Sequence, residues 1–439
     1  MALDPGGVGA VPQRHRDEGS TVHWTRYALV TLILVAGLGA PSRAAAGPGR
    51  CALTVVAHED DDLLFVNPEI SDDIAAGRCV TTLYVTSGDA ARGPDYWRSR
   101  ERGEMAAYAR MAGRPARWTE QTRLVRGHPV HRATLAGTRI TLLFLRLPDR
   151  VGGWPDQTLQ LLWLDPSVRM YTLDAGHRYT RATLLTVLTA VMVIYQPTVI
   201  RTLDFRGAYG DGDHDDHHTV AYLTHAAQLR YRTPHRITGH LGYPVARRPA
   251  NLTAARYRAK LGHFLAYAPH DRVVCQTADR CDRGGYGAYL RRDVRVPAPA
   301  GPGRNVAGQA LPAASSGNEA TVEVAAKAVD GRRDGALLGE WVTVGERAGA
   351  WLTLTWPDPQ VLNRIVLYDR PNRADRITGA VLRFSDGSTV PVGPLPDDGS
   401  PLTVHFAPKA VTSLRFTVTG VSGTTRDAGL AEIRAVTAA

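Results

Sequence analysis

Short apolar runs that stop abruptly at acids, histidines or hydroxyls recur through the first two thirds of the chain. Residues 53–57, 79–86, 139–146 and 198–203 read as buried strands. Between and after them, 68–76, 96–111, 180–195, 217–230 and 254–267 carry helical spacing. The first of these opens at Pro68 and closes at Gly77, as helices do. In 96–111, Met105, Tyr108 and Met111 form an apolar stripe, with Arg100, Arg102 and Glu104 at polar positions. Residues 180–195 are nearly all apolar, but they fall short of the ~20 needed for a membrane span, so a covered helix stopped by Pro197 is expected. Strand and helix alternating on this scale predict an α/β fold, a mostly parallel sheet with helices on both faces.

The pattern changes at 296–303, a Pro-, Gly- and Ala-rich linker. Beyond it the helical period disappears. Runs 351–356, 364–368, 380–384 and 413–418, split by turns such as Ser385-Asp386-Gly387-Ser388, predict a jelly-roll-like β-sandwich over 304–439. At the other end, Arg14, Arg16 and Arg26 precede an apolar run at 27–40 and small residues at 41–46. That is the build of a signal peptide over 1–46, with a retained anchor as the rival. It predicts a secreted protein with no stable membrane span after leader removal, and an α/β domain at 47–295.

Charge adds little. The formal net charge is +10, yet Lys occurs only at 260, 327 and 409, and the remaining 49 basic residues are Arg in runs no longer than two. Such scatter is unlike a phosphate-reading stripe, so no nucleic-acid partner is expected. The four cysteines suit an oxidising compartment. Cys51 and Cys79 each open an apolar run, so their pairing would staple two neighbouring strands, and Cys275 with Cys281 would close a small loop. A four-thiolate zinc site, the alternative, lacks close C-x-x-C pairs.

Candidate chemistry gathers where two strands end. The first run leads into His58-Glu59-Asp60-Asp61-Asp62, and the run at 198–203 leads to Asp211-Gly212-Asp213-His214-Asp215-Asp216-His217-His218. In open α/β sheets ligands bind beyond the carboxyl ends of the strands. His58 and Asp61, with His217 from the start of a helix, could grip one metal ion and leave a position for water. Asp60 then fits the general base, and His214 could stabilise an oxyanion or protonate a leaving amine. A solvated turn or a calcium loop is the competing reading of the aspartates; the histidines favour a metal that takes nitrogen ligands. His218 reads as a helix-start residue and His225 as a packed or solvated histidine.

At these residues the chain resembles the PIG-L / LmbE-like N-acetylglucosaminyl deacetylases. Their Ala-His-Pro-Asp-Asp-Glu and His-x-Asp-His signatures correspond here to Ala57-His58-Glu59-Asp60-Asp61-Asp62 and His214-Asp215-Asp216-His217. The resemblance covers roughly 51–290. It implies a Rossmann-like fold, one zinc ion per chain on His58, Asp61 and His217, Asp60 as base and His214 as oxyanion helper. It also implies that an N-acetylated sugar or glycoconjugate is the substrate, with Arg100, Arg102 and Asp149 as candidates to contact it. Glu59 in place of Pro, and Asp62 in place of Glu, depart from the signature; Glu59 would add a negative charge beside the metal.

The region after the linker resembles, more loosely, galactose-binding-like, discoidin-type sandwiches through Ala328-Val329-Asp330-Gly331, Trp341 and Asp386-Gly387. This implies glycan docking, with a merely stabilising sandwich as the alternative; exposed Trp341 or Trp351 would favour binding and buried ones a core role. Two other classes share the sequence features: a metal-dependent hydrolase of another amide or ester, and a glycan-binding protein whose α/β domain is only a scaffold.

Overall fold

A computed structural model describes residues 51–149, 158–296, 303–333 and 339–438. The leader at 1–46 and all of the linker but Val296 and Gly303 lie outside the described residues.

The sheet is built from β1 (Cys51–Val56), β2 (Cys79–Thr86), β3 (Trp118–Val125), β4 (His128–Leu135), β5 (Ile140–Leu147), β6 (Pro197–Thr202) and β7 (Arg236–Gly239). Their spatial order is β3-β4-β5-β2-β1-β6-β7, with β5, β2, β1, β6 and β7 parallel. Leu53, Val55 and Val56 are buried on both faces, as in a central parallel strand. Helices flank the sheet: α1 (Glu69–Ala75), α2 (Pro94–Met111), α3 (Leu159–Leu164), α4 (Arg181–Tyr195), α5 (Asp215–Gln228) and α6 (Ala254–Tyr267). Helix α4 starts with a reciprocal Thr180/Thr183 capping box. No helix among the described residues is long and apolar enough to cross a membrane.

The 118–135 hairpin was not expected from the sequence. Its first strand, Trp-Thr-Glu-Gln-Thr-Arg-Leu-Val, lies at the sheet edge with both faces mostly exposed, so no apolar alternation marks it. The predicted disulfides are present. Cys51 and Cys79 sit directly opposite in the β1–β2 register, and Cys275 pairs with Cys281.

The C-terminal region is an antiparallel β-sandwich of β8 (Leu311–Ala314), β9 (Trp351–Tyr368), β10 (Ile377–Phe384), β11 (Thr389–Val392), β12 (Leu402–Val421) and β13 (Glu432–Thr437). Where two strands were expected at 351–356 and 364–368, one 18-residue strand runs through. Pro357 and Pro359 fall inside a register shift between Thr355 and Gln360, where a missing N–H breaks no ladder bond. Trp341 is buried and donates from Nε1 to the Ser316 carbonyl at 2.8 Å, so it belongs to the core and not to an exposed stacking surface. Arg415 lies 4.0 Å over the half-buried Trp351 ring.

The sandwich packs directly on the α/β domain. Trp163 of α3 donates to the Gly308 carbonyl at 3.2 Å. Gly331, at φ 83°, brings its backbone against Tyr209; a Cβ there would meet the Tyr209 carbonyl at 2.5 Å. The Asp330-Gly331 turn is thus a docking element.

Candidate metal centre

The carboxyl ends of β1, β2, β5 and β6 all open on one edge, and each is followed by acids or histidines: His58 to Asp62, Asp89, Asp149, and Asp204 to His217. That edge brings the two sequence clusters together. The His58 and His217 ring centroids are 5.4 Å apart, and His58, Asp61 and His217 each offer a ligand atom within 4.8 Å of the others.

Each of the three is held from behind. Asp61 Oδ2 accepts the backbone N–H groups of Ala57 at 3.1 Å and His58 at 2.8 Å, a tight turn leaving β1. Its Oδ1 lies 3.0 Å from His217 Nε2. His217 Nδ1 lies 2.7 Å from Asp213 Oδ1, which fixes the ring and turns Nε2 inward. His58 and His217 Nε2 are buried without a hydrogen-bond partner. Buried nitrogens left unpaired beside a carboxylate fit a divalent cation. Zinc is consistent with this nitrogen-and-oxygen donor set.

The electrostatics agree. Burial lowers the His217 imidazole, but Asp61 and Asp213 outweigh it and hold it at about 10. Burial opposes His58 as well, yet Asp61, Asp149 and Asp216 raise it well above the ordinary range. Burial disfavours the Asp61 carboxylate, and His217 and His58 overcome that to pull it well below its usual range. The pocket therefore favours positive charge.

Asp60 sits beside this group on a strained backbone, at φ 103°. Its N–H donates to Glu104 at 2.9 Å, and its Oδ1 lies 3.1 Å from the Arg100 guanidinium. Burial raises Asp60 to about 7, with Arg100 opposing. A carboxylate tuned near neutrality is matched to general-base work. His214 caps α5: its Nδ1 accepts the Asp216 N–H at 3.1 Å, so Nε2 carries the proton. Burial and then His58 lower it to about 4, leaving a neutral ring that donates.

The other expected contacts divide. Asp149 is buried with Oδ1 3.8 Å from His58 Nε2, at the cluster itself. Arg100 is buried, and donates to the carbonyls of Glu59 and, at 2.6 Å, Gly88, while its Nε meets Tyr267 at 2.7 Å and Asp271 at 3.1 Å. It positions Asp60 and is not free for substrate. Gly88 has no side chain because any Cβ would collide with this guanidinium. Arg102, two residues on, is exposed and is not brought to the cluster. Glu59 is fully buried, both carboxyl oxygens lack partners, and burial raises it well above its ordinary value, with Arg100 opposing. Asp62 Oδ2 accepts from Tyr84 at 3.1 Å and Tyr108 at 2.6 Å and turns away from a ligand role.

Asp216, with Oδ2 3.5 Å from His58 Nε2, and Asp213 were parts of the second cluster to which the sequence assigned no role. The four-residue spacing of Asp213 and His217 across a helix start was the available signal. His218 is clamped between the Asp204 carbonyl and Asp211, and His225 stacks on Phe205 at 4.9 Å; neither joins the cluster.

Residues 53–228 match a family model described as PIG-L, GlcNAc-PI de-N-acetylase, and residues 305–436 match one described as a domain of unknown function, DUF7402. No curated protein matches the chain. Among solved structures, a module from Clostridium perfringens in complex with GalNAc-β-1,3-galactose is similar at 19% identity, covering 29% of this chain and 94% of its own, with a TM-score of 0.25. The family 32 carbohydrate-binding module of C. perfringens NanJ, in complex with galactose, gives 19% identity, 29% and 93% coverage and a TM-score of 0.25. A chitosan-binding module from Paenibacillus sp. IK-5 gives 20% identity, 30% and 98% coverage and a TM-score of 0.25.

Proposed function

We propose, on the premise that residues 53–228 are a PIG-L domain, that this chain is a secreted, zinc-dependent hydrolase removing the acetyl group from an N-acetylglucosamine-type sugar or glycoconjugate. The observation that carries the reading is the convergence of His58, Asp61 and His217 beside Asp60. When bound by those three residues, the ion would supply Lewis acidity at the acetamide carbonyl and lower the pKa of a water. Asp60 accepts the proton of the attacking water and returns it to the departing amine nitrogen. His214, neutral and donating from Nε2, stabilises the oxygen on which charge develops. Arg100 and Glu104 hold Asp60 in place.

The domain plan that goes with this reading is a leader at 1–46, a deacetylase domain at 47–295, a linker at 296–303 and a β-sandwich at 304–439. Export is supported by the basic and apolar leader and the two disulfides. Acetate release from N-acetylglucosamine oligomers, with and without chelator, tests the activity. Chelator-insensitive release would overturn the zinc dependence, and no release from any oligomer alongside turnover of another amide or ester would overturn the substrate assignment.

A further inference from the structure

A cavity of about 540 Å³ opens between the two domains. Asp204, Arg206 and Asp211 of the β6–α5 loop form one wall, Arg247 and Arg248 a second, and Arg304 and Arg434 of the sandwich region a third. Five guanidiniums thus face two carboxylates.

Both carboxylates also accept hydrogen bonds from neighbouring groups, and two carboxylates cannot balance five guanidiniums. Asp204 Oδ1 accepts the N–H groups of Arg206 at 2.7 Å and Gly207 at 2.9 Å. Asp211 Oδ1 is taken by the Asp213 N–H at 3.0 Å and by His218 at 3.1 Å. The polar contacts of the guanidiniums are long: Arg304 to Asp204 at 3.6 Å, Arg434 to Glu432 at 3.7 Å, Arg206 to Asp358 at 3.9 Å, and Arg247 to the Asp211 carbonyl at 3.4 Å, while Arg206 also lies over the Phe205 ring and Arg434 over Tyr368. Elsewhere in the molecule arginines pair closely, as Arg201 does with Glu69 at 2.6 Å and Asp73 at 2.7 Å. The Nε groups of Arg206 and Arg434 are buried with no acceptor. Burial and Asp330 raise Glu432 well above its ordinary value, with Arg434 opposing. Planar guanidiniums in a fork are suited to oxyanions.

We propose that this cavity binds an oxyanion, whether carboxylate, sulfate or phosphate, carried by an acidic glycan. One continuous backbone segment connects it to the metal centre. The loop that walls the cavity ends in His214 and His217, and Asp213 bonds both His217 Nδ1 and the Tyr243 N–H next to the cavity residue Pro244. A charged residue of the glycan would seat here while a neighbouring acetamide reaches the metal centre. That last step rests on the deacetylase reading; the anion site does not.

Titration calorimetry on the full chain, with inorganic phosphate, inorganic sulfate, a glucuronate oligomer and a neutral N-acetylglucosamine oligomer, tests this. At least one oxyanion should bind, more weakly as salt rises, and which one binds assigns the source. Arg247 and Arg248 are exposed, so R247Q/R248Q keeps the fold; it should weaken anion binding about tenfold or more while leaving acetate release from the neutral oligomer unchanged. R304Q/R434Q should weaken it too. The anion site is overturned if none of the three anions binds, or if both double variants bind as tightly as the parent. Anion binding with no faster acetate release from an oligomer alternating glucuronate and N-acetylglucosamine than from the neutral oligomer would overturn the glycan assignment alone. Loss of all acetate release with anion binding intact would sink the deacetylase reading and leave the anion site standing.

Discussion

Among the described residues, three sets of histidine and carboxylate could hold a metal ion, two sharing His58 at the strand edge and one away from it, and the two places are built to opposite ends. At the strand edge, His58, Asp61 and His217 converge with buried nitrogens unpaired. The second group, Glu69, His240 and Asp293, has ligand atoms equally close together, but Arg201 bonds Glu69 at 2.6 Å and Asp73 at 2.7 Å, and Arg295 bonds Glu69 as well. Arginine has filled the cation's place. Ligand-type residues in proximity are therefore not sufficient; what separates a metal centre from an ion-pair network is whether the protein brings its own positive charge.

The contrast breaks most visibly at the first group. Asp61→Ala should abolish stoichiometric metal, measured by elemental analysis, together with activity, whereas Glu69→Gln should leave both intact in the folded fraction. Asp60→Asn should keep the metal and lower turnover by about 10²–10⁴-fold; full activity in that variant would remove Asp60 as the base. Arg201→Met, which leaves the buried Glu69 and Asp73 only the more exposed Arg295 and Arg78, should cost about 3 kcal/mol in denaturant unfolding with the metal retained. Asp213→Asn frees the His217 ring and should weaken metal affinity about 10–100-fold without unfolding the protein.

The smallest effect is a pH dependence. Burial raises Glu69, but His240 and Arg201 outweigh it, so its folded pKa lies below the ordinary 4.5. The ionised form is favoured on folding, and its contribution is present above pH 4.5 and lost as pH falls through the lower folded value. The acid limb of the stability curve should be shallower in Glu69→Gln than in the parent.

Much of this was legible in the sequence because buried parallel strands are apolar runs, and the polar residues where 53–57 and 198–203 stop mark the reactive edge. The part Arg100 and Glu104 play in holding Asp60 was not, because helical spacing separates polar from apolar faces but does not tell a solvated polar face from one turned into a site. The edge hairpin at 118–135 buries too little to show a period. Arginines that look scattered at 206, 247, 248, 304 and 434 gather only when two domains meet, information held in no local window.

At Asp60 one residue serves as both reagent and bend. Its φ of 103° lies in territory where glycine is comfortable and Asp or Asn is tolerated better than branched or bulky side chains. Asparagine and glycine are thus the replacements that erase the carboxylate while preserving the chain path, and an alanine or valine scan at this site would confound lost chemistry with a displaced His58 and Asp61.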